Sequence, residues 1–575
     1  MTRKKIAQPV LWLISGLFSL LMMLIYVGFE HITYIPNDDV GMIRSMEGWL
    51  GVYPTFNLHS HSLLVMLVTG LSKAFPNLAV FSVLQLLCTW VVIMVMAKCG
   101  MQLAQKKGAS VLWGLMLAAG LYMVMIGCNV RAFTIQGVWC LCAAVMQIVT
   151  LLGEKSPRKI VLGMIPALLL AAFTYIMRIQ LLLSVLGCCG LAMLILLACV
   201  PKEADGKYSR PAFLTVLLAM AVCVASMGGL VLMRQMELKD ETNAGLLRFN
   251  EARVVINDYH QDIDIVSDER LQELGWKRCY LPVIKDYNMM DHRFNAETFE
   301  GAIQSSKNMY TMPLRDKVYW TWIAIRNNIF KYPVALCLIP LVLCAAWVIL
   351  RGRWMHKLLA LLTVLCAAAQ YVAVCWLGRP FHHVTAAAFA PPMLMAIALA
   401  LQYLPGRKLA ASAAGKIIPA VLMAASLAGC VLVTTGSNPI EFNPGQLFRQ
   451  DGAQASCDQY ALEHPDTLFL CDYIEDVRTF PDTAKGKPAN LLHSVGWMSI
   501  SKEYREVMNR FGIPWEQVDG TMYLRDNVRL MTRGDYNLEH LLPYIQSHFP
   551  DQTITYEVEA QLDGGMVLRF VASAK

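Results

Sequence analysis

The chain has 575 residues, of which 56% are hydrophobic and 16% are charged, and its formal net charge is +7 at pH 7. This balance excludes a soluble globular protein and indicates a chain that lies mostly within lipid. The cations are spread over short connections between apolar runs rather than along one basic stripe, which argues against nucleic acid as a partner.

About eleven runs of mostly apolar residues are long enough to cross the hydrocarbon layer as helices. They begin near Val10, Leu78, Ala109, Ala132, Ile160, Ile179, Pro211, Pro333, Leu358, Val384 and Ile417. The first run is of spanning length and is followed by bulky residues, so we expect it to remain as an anchor rather than be cleaved as a signal peptide. A shorter run from His61 to Phe75 is predicted to lie in the membrane interface.

Alternate connections differ sharply in Lys and Arg content. One set carries three cations in every member, for example Lys98, Lys106 and Lys107, whereas the other set holds isolated cations. Because short cationic loops stay in the cytoplasm, we expect a cell-membrane protein with a cytoplasmic N-terminus. The loops 30–77 and 234–332 and the whole C-terminal part are then extracytoplasmic.

The chain divides by composition into a transmembrane part, residues 1–435, and an extracytoplasmic domain, residues 436–575. The loop before the eighth run ends in an aromatic stretch from Val318, which is typical of an interfacial helix. The predicted fold is mainly α: a polytopic membrane helical bundle with external interfacial helices and a small α/β C-terminal domain. In that domain we expect a strand at 467–470, helices at 501–511 and 538–549, and a hairpin at Asp563-Gly564-Gly565.

Most of the 17 cysteines lie in apolar runs, where a thiol acts as a small hydrophobe. Cys457 and Cys471 lie in a polar region instead. They either pair in an oxidising compartment or remain free buried thiols, and the sequence leaves both open.

Two adjacent acids, Asp38 and Asp39, follow the first predicted span within about ten residues of the membrane surface, where an unpaired charge is costly. Adjacent acids can share a proton, ligate a divalent cation, or act as a base and its orienting neighbour. They can equally cap a helix running toward Gly48. A cap and a catalytic acid do not exclude each other.

In the order of these parts the chain resembles the GT-C glycosyltransferases, which include protein O-mannosyltransferases and aminoarabinose transferases. The matching parts are a first span entering from the cytoplasm, an acidic pair before a helix that ends near a glycine, an interfacial helix, many further spans and an external C-terminal domain. The resemblance implies that Asp38 or Asp39 deprotonates an acceptor or holds a metal, and that a polyprenyl-phosphate sugar is the donor. The chain has Asp39 where many members have Glu.

Three isolated cations are predicted to lie at the external ends of spans: Arg131, Arg178 and Arg379, the last beside His382 and His383. Sugar transfer from a lipid phosphate leaves negative charge on the phosphate, which cations at this face would stabilise. Each arginine alone is also typical of an interfacial anchor that reaches the lipid headgroups. We rank Arg379 first as a phosphate-binding residue, because its connection is short.

The loop 234–332 brings acids, amides and tyrosines together around Asp258 and Asp286, which suits hydroxyl-rich sugars as well as any solvated loop. His59 and His61 follow the acidic pair by about twenty residues. They are candidates for binding a metal or an acceptor, although interfacial histidines are more often amphipathic surface residues.

These observations predict a membrane glycosyltransferase that moves a sugar from a polyprenyl-phosphate donor to an envelope glycan, lipid or protein on the outer face, in contact with membrane lipids. A divalent cation at Asp38 and Asp39 is left open as a cofactor. The alternatives are a lipid or polysaccharide transporter or flippase, and a non-catalytic envelope assembly protein. Few polar residues lie within the spans and no inverted halves are evident, which disfavours transport.

Overall fold

The structure is a computed structural model that describes residues 6–29, 38–127, 133–200, 209–258, 262–306, 313–331, 334–378, 382–403, 414–435, 453–472, 486–493, 496–533 and 538–575. Within these ranges, a few side chains are not described, those of residues 38–40 and 382–383 among them.

Every predicted span coincides with a helix. Numbered in chain order with the external helices, the apolar helices are α1 (Gln8–Phe29), α4 (Val80–Lys106), α5 (Leu112–Gly127), α6 (Phe133–Val149), α7 (Pro157–Met177), α8 (Leu182–Ala198), α9 (Arg210–Glu237), α15 (Val334–Arg351), α16 (Trp354–Trp376), α17 (His382–Ala400) and α18 (Ala414–Thr435). Among the described residues, seven helices are long and apolar enough to cross a membrane: α1, α4, α7, α8 with the 3-10 turn before it, α9, α15 and α16. The other four are shorter apolar stretches by the same measure. A mainly α, polytopic membrane protein is therefore confirmed.

Small residues and buried polar pairs stabilise the contacts between helices of the bundle. This is usual in a membrane, because the hydrophobic effect does not drive apolar helices together in lipid. A Cβ added at Gly114 of α5 would lie 2.3 Å from the Gly100 carbonyl carbon of α4, so the two backbones touch. Gln136 of α6 donates to Thr89 of α4 at 2.7 Å. On the outside, Leu218 of α9 is 64% exposed, as expected of a side chain that faces lipid.

Lys98 departs from the sequence-based assignment. It was expected in a cytoplasmic connection, but it lies inside α4, about two turns before that helix ends. Its ammonium is buried, 3.4 Å from the Gln147 side-chain oxygen and over the Trp12 ring. A long lysine stem allows a position inside the helix while the charge finds polar and aromatic partners.

The remaining helices described before residue 436 are termed external helices because they lie in the loops between the apolar helices. They are α2 (Asp38–Met46), α3 (Ser62–Ala74), α10 (Glu241–Asn257), α11 (Asp268–Glu273), α12 (Tyr280–Lys285), α13 (Ala296–Ser305) and α14 (Leu314–Asn328). Two of them are the helices expected in the interface. In α3, Met66 is 65% exposed while Val65 and Val68 are buried. In α14, Trp320 and Trp322 are both more than half exposed. These exposed apolar side chains suit helices that lie on lipid.

The C-terminal part is an α/β fold. Its elements are α19 (Ala453–Glu463), β1 (Leu468–Cys471), β2 (Leu491–His493), α20 (Lys502–Arg510), β3 (Val528–Thr532), α21 (Leu538–Gln546), β4 (Gln552–Leu562) and β5 (Gly565–Ala574). The sheet order is β2-β1-β3-β5-β4, with β1 parallel to both β2 and β3 and the β4–β5 hairpin antiparallel. The predicted strand, helices and hairpin are confirmed, and Gly564 in the turn has φ +73°. Strands β2 and β3 were not predicted.

One hydrophobic core joins the two external loops to the C-terminal part. Met42 and Ile43 of the first loop, Phe249 of the second, and Leu470 and Tyr544 of the C-terminal part all belong to it. The predicted boundary at residue 436 lies outside the described residues, so the domain division stays a prediction. Cys457 and Cys471 are both buried, and the structure forms no disulfide between them.

Candidate functional site

The structure describes the side chains of only some of the predicted site residues. Asp38 and Asp39 form the first turn of α2, but their side chains lie outside the described part of the chain. The same holds for the His382 and His383 side chains at the start of α17. Arg131 and Arg379 fall outside the described residues altogether. The side chains of Arg178, Asp258 and Asp286 are described.

Helix α2 packs between α3 and a 3-10 turn of the C-terminal part, Gly496–Ile500. A Cβ added at Gly41 would lie 2.8 Å from the Met498 sulfur and 3.9 Å from the Trp497 ring. On the other side, the Thr69 hydroxyl of α3 donates to the Met46 carbonyl at 3.3 Å. The backbone that carries the acidic pair is thus packed directly against Trp497 and Met498.

Trp497 also belongs to a second group of side chains, the His59 cluster, made of His59, Phe133, Arg178 and Trp497. The Trp497 and His59 rings meet edge to face at 5.2 Å, and the His59 and Phe133 ring centroids are 5.9 Å apart. The Arg178 guanidinium lies over Phe133 at 4.5 Å. Since Phe133 begins α6 and Arg178 follows α7, the cluster lies at the end of the bundle where α6 begins and α7 ends.

Backbone contacts of the loop before α3 hold His59 in this place. The Asn57 side-chain oxygen accepts from the N–H groups of His59 and Ser60 at 2.9 and 3.1 Å. The Ser60 hydroxyl donates to the Met177 carbonyl at 2.9 Å, and the Ile179 N–H donates to the His59 carbonyl at 3.2 Å. The loop is therefore joined to the chain on both sides of Arg178.

Arg234, at the end of α9, was not identified from the sequence as a site residue. Arg234 is 4% exposed, and its guanidinium lies over the Phe56 ring at 4.0 Å and donates to the Asn57 carbonyl at 2.8 Å. An arginine with several carbonyl and carboxylate partners and an aromatic neighbour orders a loop well. Its Glu237 partner lies at 3.2 Å.

His61 has a structural role. Its Nδ1 accepts from the Leu63 N–H at 3.2 Å, which caps α3. The ring proton is then on Nε2, which donates to the Leu230 carbonyl at 3.0 Å. Both ring nitrogens are used by backbone groups, so the structure does not favour His61 as a metal ligand.

Asp258 supports the turn that presents Trp497. Arg253 pairs with Asp258 at 3.4 Å, and the Tyr287 hydroxyl donates to the same carboxylate at 3.3 Å. Tyr287 has φ +62°, and its carbonyl accepts from the Gly496 N–H at 3.0 Å. A non-glycine residue in this strained conformation is held by its surroundings and is more frequent near functional sites.

Asp286 has a different partner. Its carboxylate pairs with His540 of α21 and is mostly buried. This contact links the second external loop to the C-terminal part. Sugar binding by Asp258 and Asp286 stays a prediction, and both carboxylates have internal partners in the structure.

Glu47, which follows α2, is a fully buried acid that the sequence did not single out. Its carboxylate accepts from the Phe81 N–H, in the first turn of α4, at 2.8 Å and from the Trp49 ring N–H at 3.4 Å. Burial raises the pKa of Glu47 to about 7, and the Phe81 N–H only partly opposes this. The acid therefore titrates near neutral pH while it anchors the start of α4.

We expect Glu47 to make stability depend on pH. Because the folded pKa is about 7 and the ordinary value is 4.5, the folded protein binds the proton more tightly than the unfolded one. The contribution of Glu47 to the free energy of unfolding is then largest below pH 4.5 and falls, by about 3 kcal/mol, as pH rises to about 7. In Glu47→Gln this decrease should be absent, and melting temperatures of the detergent-solubilised protein at pH 5 and pH 8 will test it.

Glu463→Gln, which changes an exposed acid at the end of α19, is the matched control and should keep the wild-type pH dependence. Equal pH dependence in wild type and Glu47→Gln would show that Glu47 is not the group responsible.

No three His, Cys, Asp or Glu side chains gather to form a metal site among the residues whose side chains are described. A cation at Asp38 and Asp39 stays a prediction. Helix α2, which begins with the two acids, packs against the turn that contains Trp497. The Arg178 cation belongs to the same connected group of side chains as Trp497.

In comparisons with known proteins, no family model and no curated protein matches the chain. A similar solved structure is the crystal structure of the Archaeoglobus fulgidus oligosaccharyltransferase in complex with Zn and sulfate. The match covers 96% of this chain and 72% of that one, with 10% sequence identity and a TM-score of 0.41. Similarity this distant assigns no donor, acceptor or reaction to the chain.

Proposed function

We propose that this protein is a membrane glycosyltransferase of the GT-C type. It moves one sugar from a polyprenyl-phosphate donor to an envelope glycan, lipid or protein at the outer face of the cell membrane. The reaction takes place where α2 meets the His59 cluster, at the end of the bundle where α4 and α6 begin and α7 and α9 end.

The observation that carries this proposal is the shared contact at Trp497. Helix α2, which begins with Asp38 and Asp39, packs on Trp497 and Met498 through Gly41. The same Trp497 ring contacts His59, which shares Phe133 as a neighbour with Arg178. The helix that begins with the acidic pair and the Arg178 cation thus belong to one connected assembly, which suits a reaction that removes a proton and releases a phosphate.

In the proposed transfer step, one bond to the anomeric carbon forms and one breaks. The acceptor hydroxyl oxygen bonds to the anomeric carbon of the sugar, and its proton passes to a carboxylate. The bond between the anomeric carbon and the phosphate oxygen breaks, and the electron pair leaves with the polyprenyl phosphate. In our proposal Asp38 takes the proton or holds a divalent cation, and Asp39 orients it. Arg178, together with Arg131 and Arg379, stabilises the leaving phosphate.

The test is transfer by the purified full-length protein in lipid nanodiscs. Polyprenyl-phosphate mannose and polyprenyl-phosphate glucose, each tritiated in the sugar, are supplied with membranes from cells that lack the protein. We expect one label to leave the lipid-soluble fraction and to appear in an acceptor, with polyprenyl phosphate released in equal amount. Empty nanodiscs are the control.

Two outcomes would contradict the proposal. Label that stays on the lipid while the lipid crosses the bilayer of protein-containing vesicles would indicate a flippase. Label that neither leaves the lipid nor crosses, with a panel of polyprenyl-phosphate sugars, would indicate a non-catalytic protein.

A further inference from the structure

Helix α2 is held mainly by tertiary contacts. It has nine residues, and a helix this short is only marginally stable alone in water. Met42, Ile43 and Met46 are all fully or almost fully buried. The position of its first turn, where Asp38 and Asp39 lie, therefore depends on what packs against it.

Three cationic or acidic side chains of the C-terminal part reach α2 and the turn after it. Asp458 of α19 pairs with Arg44, and the Arg44 side chain is only 7% exposed. Lys487 donates to the Glu47 carbonyl at 2.7 Å, and Arg510 of α20 donates to the Leu50 carbonyl. These contacts join residues more than 400 positions apart along the chain.

The close approach of side chains of the C-terminal part to two glycines of this segment shows that the contacts are tight. Besides the contact of Gly41 with Met498, a Cβ added at Gly51 would lie 2.6 Å from the Arg510 guanidinium, and Gly51 has φ +70°. Arg44 also lies over the Trp49 ring at 4.7 Å, so its guanidinium is held between that ring and Asp458.

We propose that the C-terminal part positions the acidic pair, with Arg44 and Asp458 as positioning residues that fix α2 relative to the His59 cluster. This inference rests on the proposed function, since it gives the C-terminal part a role in the same reaction. Neither Arg44 nor Asp458 contacts substrate in this scheme. Their effect is geometric, because a displacement of about 1 Å at a catalytic group can lower a rate about 100-fold.

The test compares Asp458→Asn with Asp526→Asn in the full-length protein. Asp458→Asn leaves Arg44 buried without its counter-charge, whereas Asp526→Asn breaks an exposed ion pair with Arg569 in the same part of the chain. With the tritiated polyprenyl-phosphate sugar that wild type uses, we expect kcat to fall about 100-fold in Asp458→Asn, with KM changed less than about threefold. Asp526→Asn should stay within about twofold of wild type.

Hydrogen exchange gives a second readout that does not depend on transfer. Amides of residues 40–47 should exchange faster in Asp458→Asn than in wild type, while those of β4 and β5 should be unchanged. If the wild-type protein transfers no sugar, the proposed function is wrong. Hydrogen exchange at the α2 amides still decides whether Asp458 positions α2. Wild-type exchange and wild-type kcat in Asp458→Asn would overturn the inference.

The double variant Arg44→Met with Asp458→Leu separates positioning from direct catalysis. Replacing a buried ion pair by apolar residues of similar volume is often neutral for stability. We expect the double variant to recover both slow exchange in α2 and most of the wild-type kcat. Recovery of slow exchange without recovery of kcat would show that Arg44 acts on the substrate itself, against the positioning role.

Discussion

Replacing Asp38 by Asn is expected to slow sugar transfer by about 100-fold to 10,000-fold, the usual contribution of a general base. Asparagine has nearly the shape of aspartate and caps helices equally well, so α2 should begin at the same residue. The variant therefore removes the proposed base without a large change in shape at the start of α2. Asp39→Asn should cause a smaller loss if Asp39 only orients Asp38, and release of label from the tritiated donor measures both.

Asp240→Asn is the matched control, because Asp240 caps the external helix α10 through the Thr242 and Asn243 N–H groups at 2.8 and 3.3 Å. It should transfer sugar at the wild-type rate. An Asp38→Asn protein that also works at the wild-type rate would leave Asp38 as a helix cap only. Envelope glycans from cells that carry each variant provide the same comparison in vivo.

The membrane helices were predictable because lipid imposes one local requirement on every span. Each span needs about twenty apolar residues and must satisfy its own backbone hydrogen bonds. Each span can therefore be recognised from its own segment of the sequence. The distribution of Lys and Arg then predicted alternating directions. In the structure α4 and α6 begin, and α7 and α9 end, at the His59 cluster and its neighbouring loop, while the side of the membrane on which this end lies stays a prediction. Lys98 was misplaced because its long apolar stem lets it lie inside a helix.

The C-terminal sheet was only partly predictable. The β4–β5 hairpin has eleven-residue and ten-residue strands around a glycine turn, a strong local signal. Strand β2 has three residues and β3 has five, and nearly all of these residues are buried. Runs this short show no alternation that a sequence can reveal.

The candidate site was predictable in its residue types and not in its assembly. Asp38, Asp39 and Arg178 stand out because charge near a membrane needs a partner or a function. Trp497 and Asp458 come from the other end of the chain, and nothing in the local sequence connects them to His59 or to Arg44. Contacts across such separations arise from tertiary packing, which a single sequence does not display.

Sugar binding by Asp258 stays a prediction, and the structure adds internal partners that the sequence did not reveal. Its surroundings in the sequence suit a sugar, but the carboxylate accepts from Arg253 and Tyr287 and thereby supports the turn at Gly496. Direct binding of a sugar hydroxyl would have to compete with that ion pair. The geometry favours a role in holding the turn at Gly496 and Trp497 in place.

Replacing Arg178 by Gln is expected to lower kcat by about 100-fold to 1,000-fold, the usual cost of removing a group that stabilises developing charge. Arg178→Lys should lose less, since it keeps the charge but not the planar group that stacks on Phe133. Both rates are measured as label released from the tritiated donor. Arg248→Gln, which breaks an exposed ion pair with Glu300, is the matched control and should be close to wild type.

The Arg178 series also separates phosphate stabilisation from lipid anchoring. If Arg178 only anchors its helix end at the lipid headgroups, Lys should substitute fully, because snorkelling needs a charge on a long stem and not a planar group. Stabilisation of the leaving phosphate instead predicts the order Arg, then Lys, then Gln in kcat, with smaller changes in KM. Equal rates for all three proteins would remove Arg178 from the reaction and leave the phosphate to other cations.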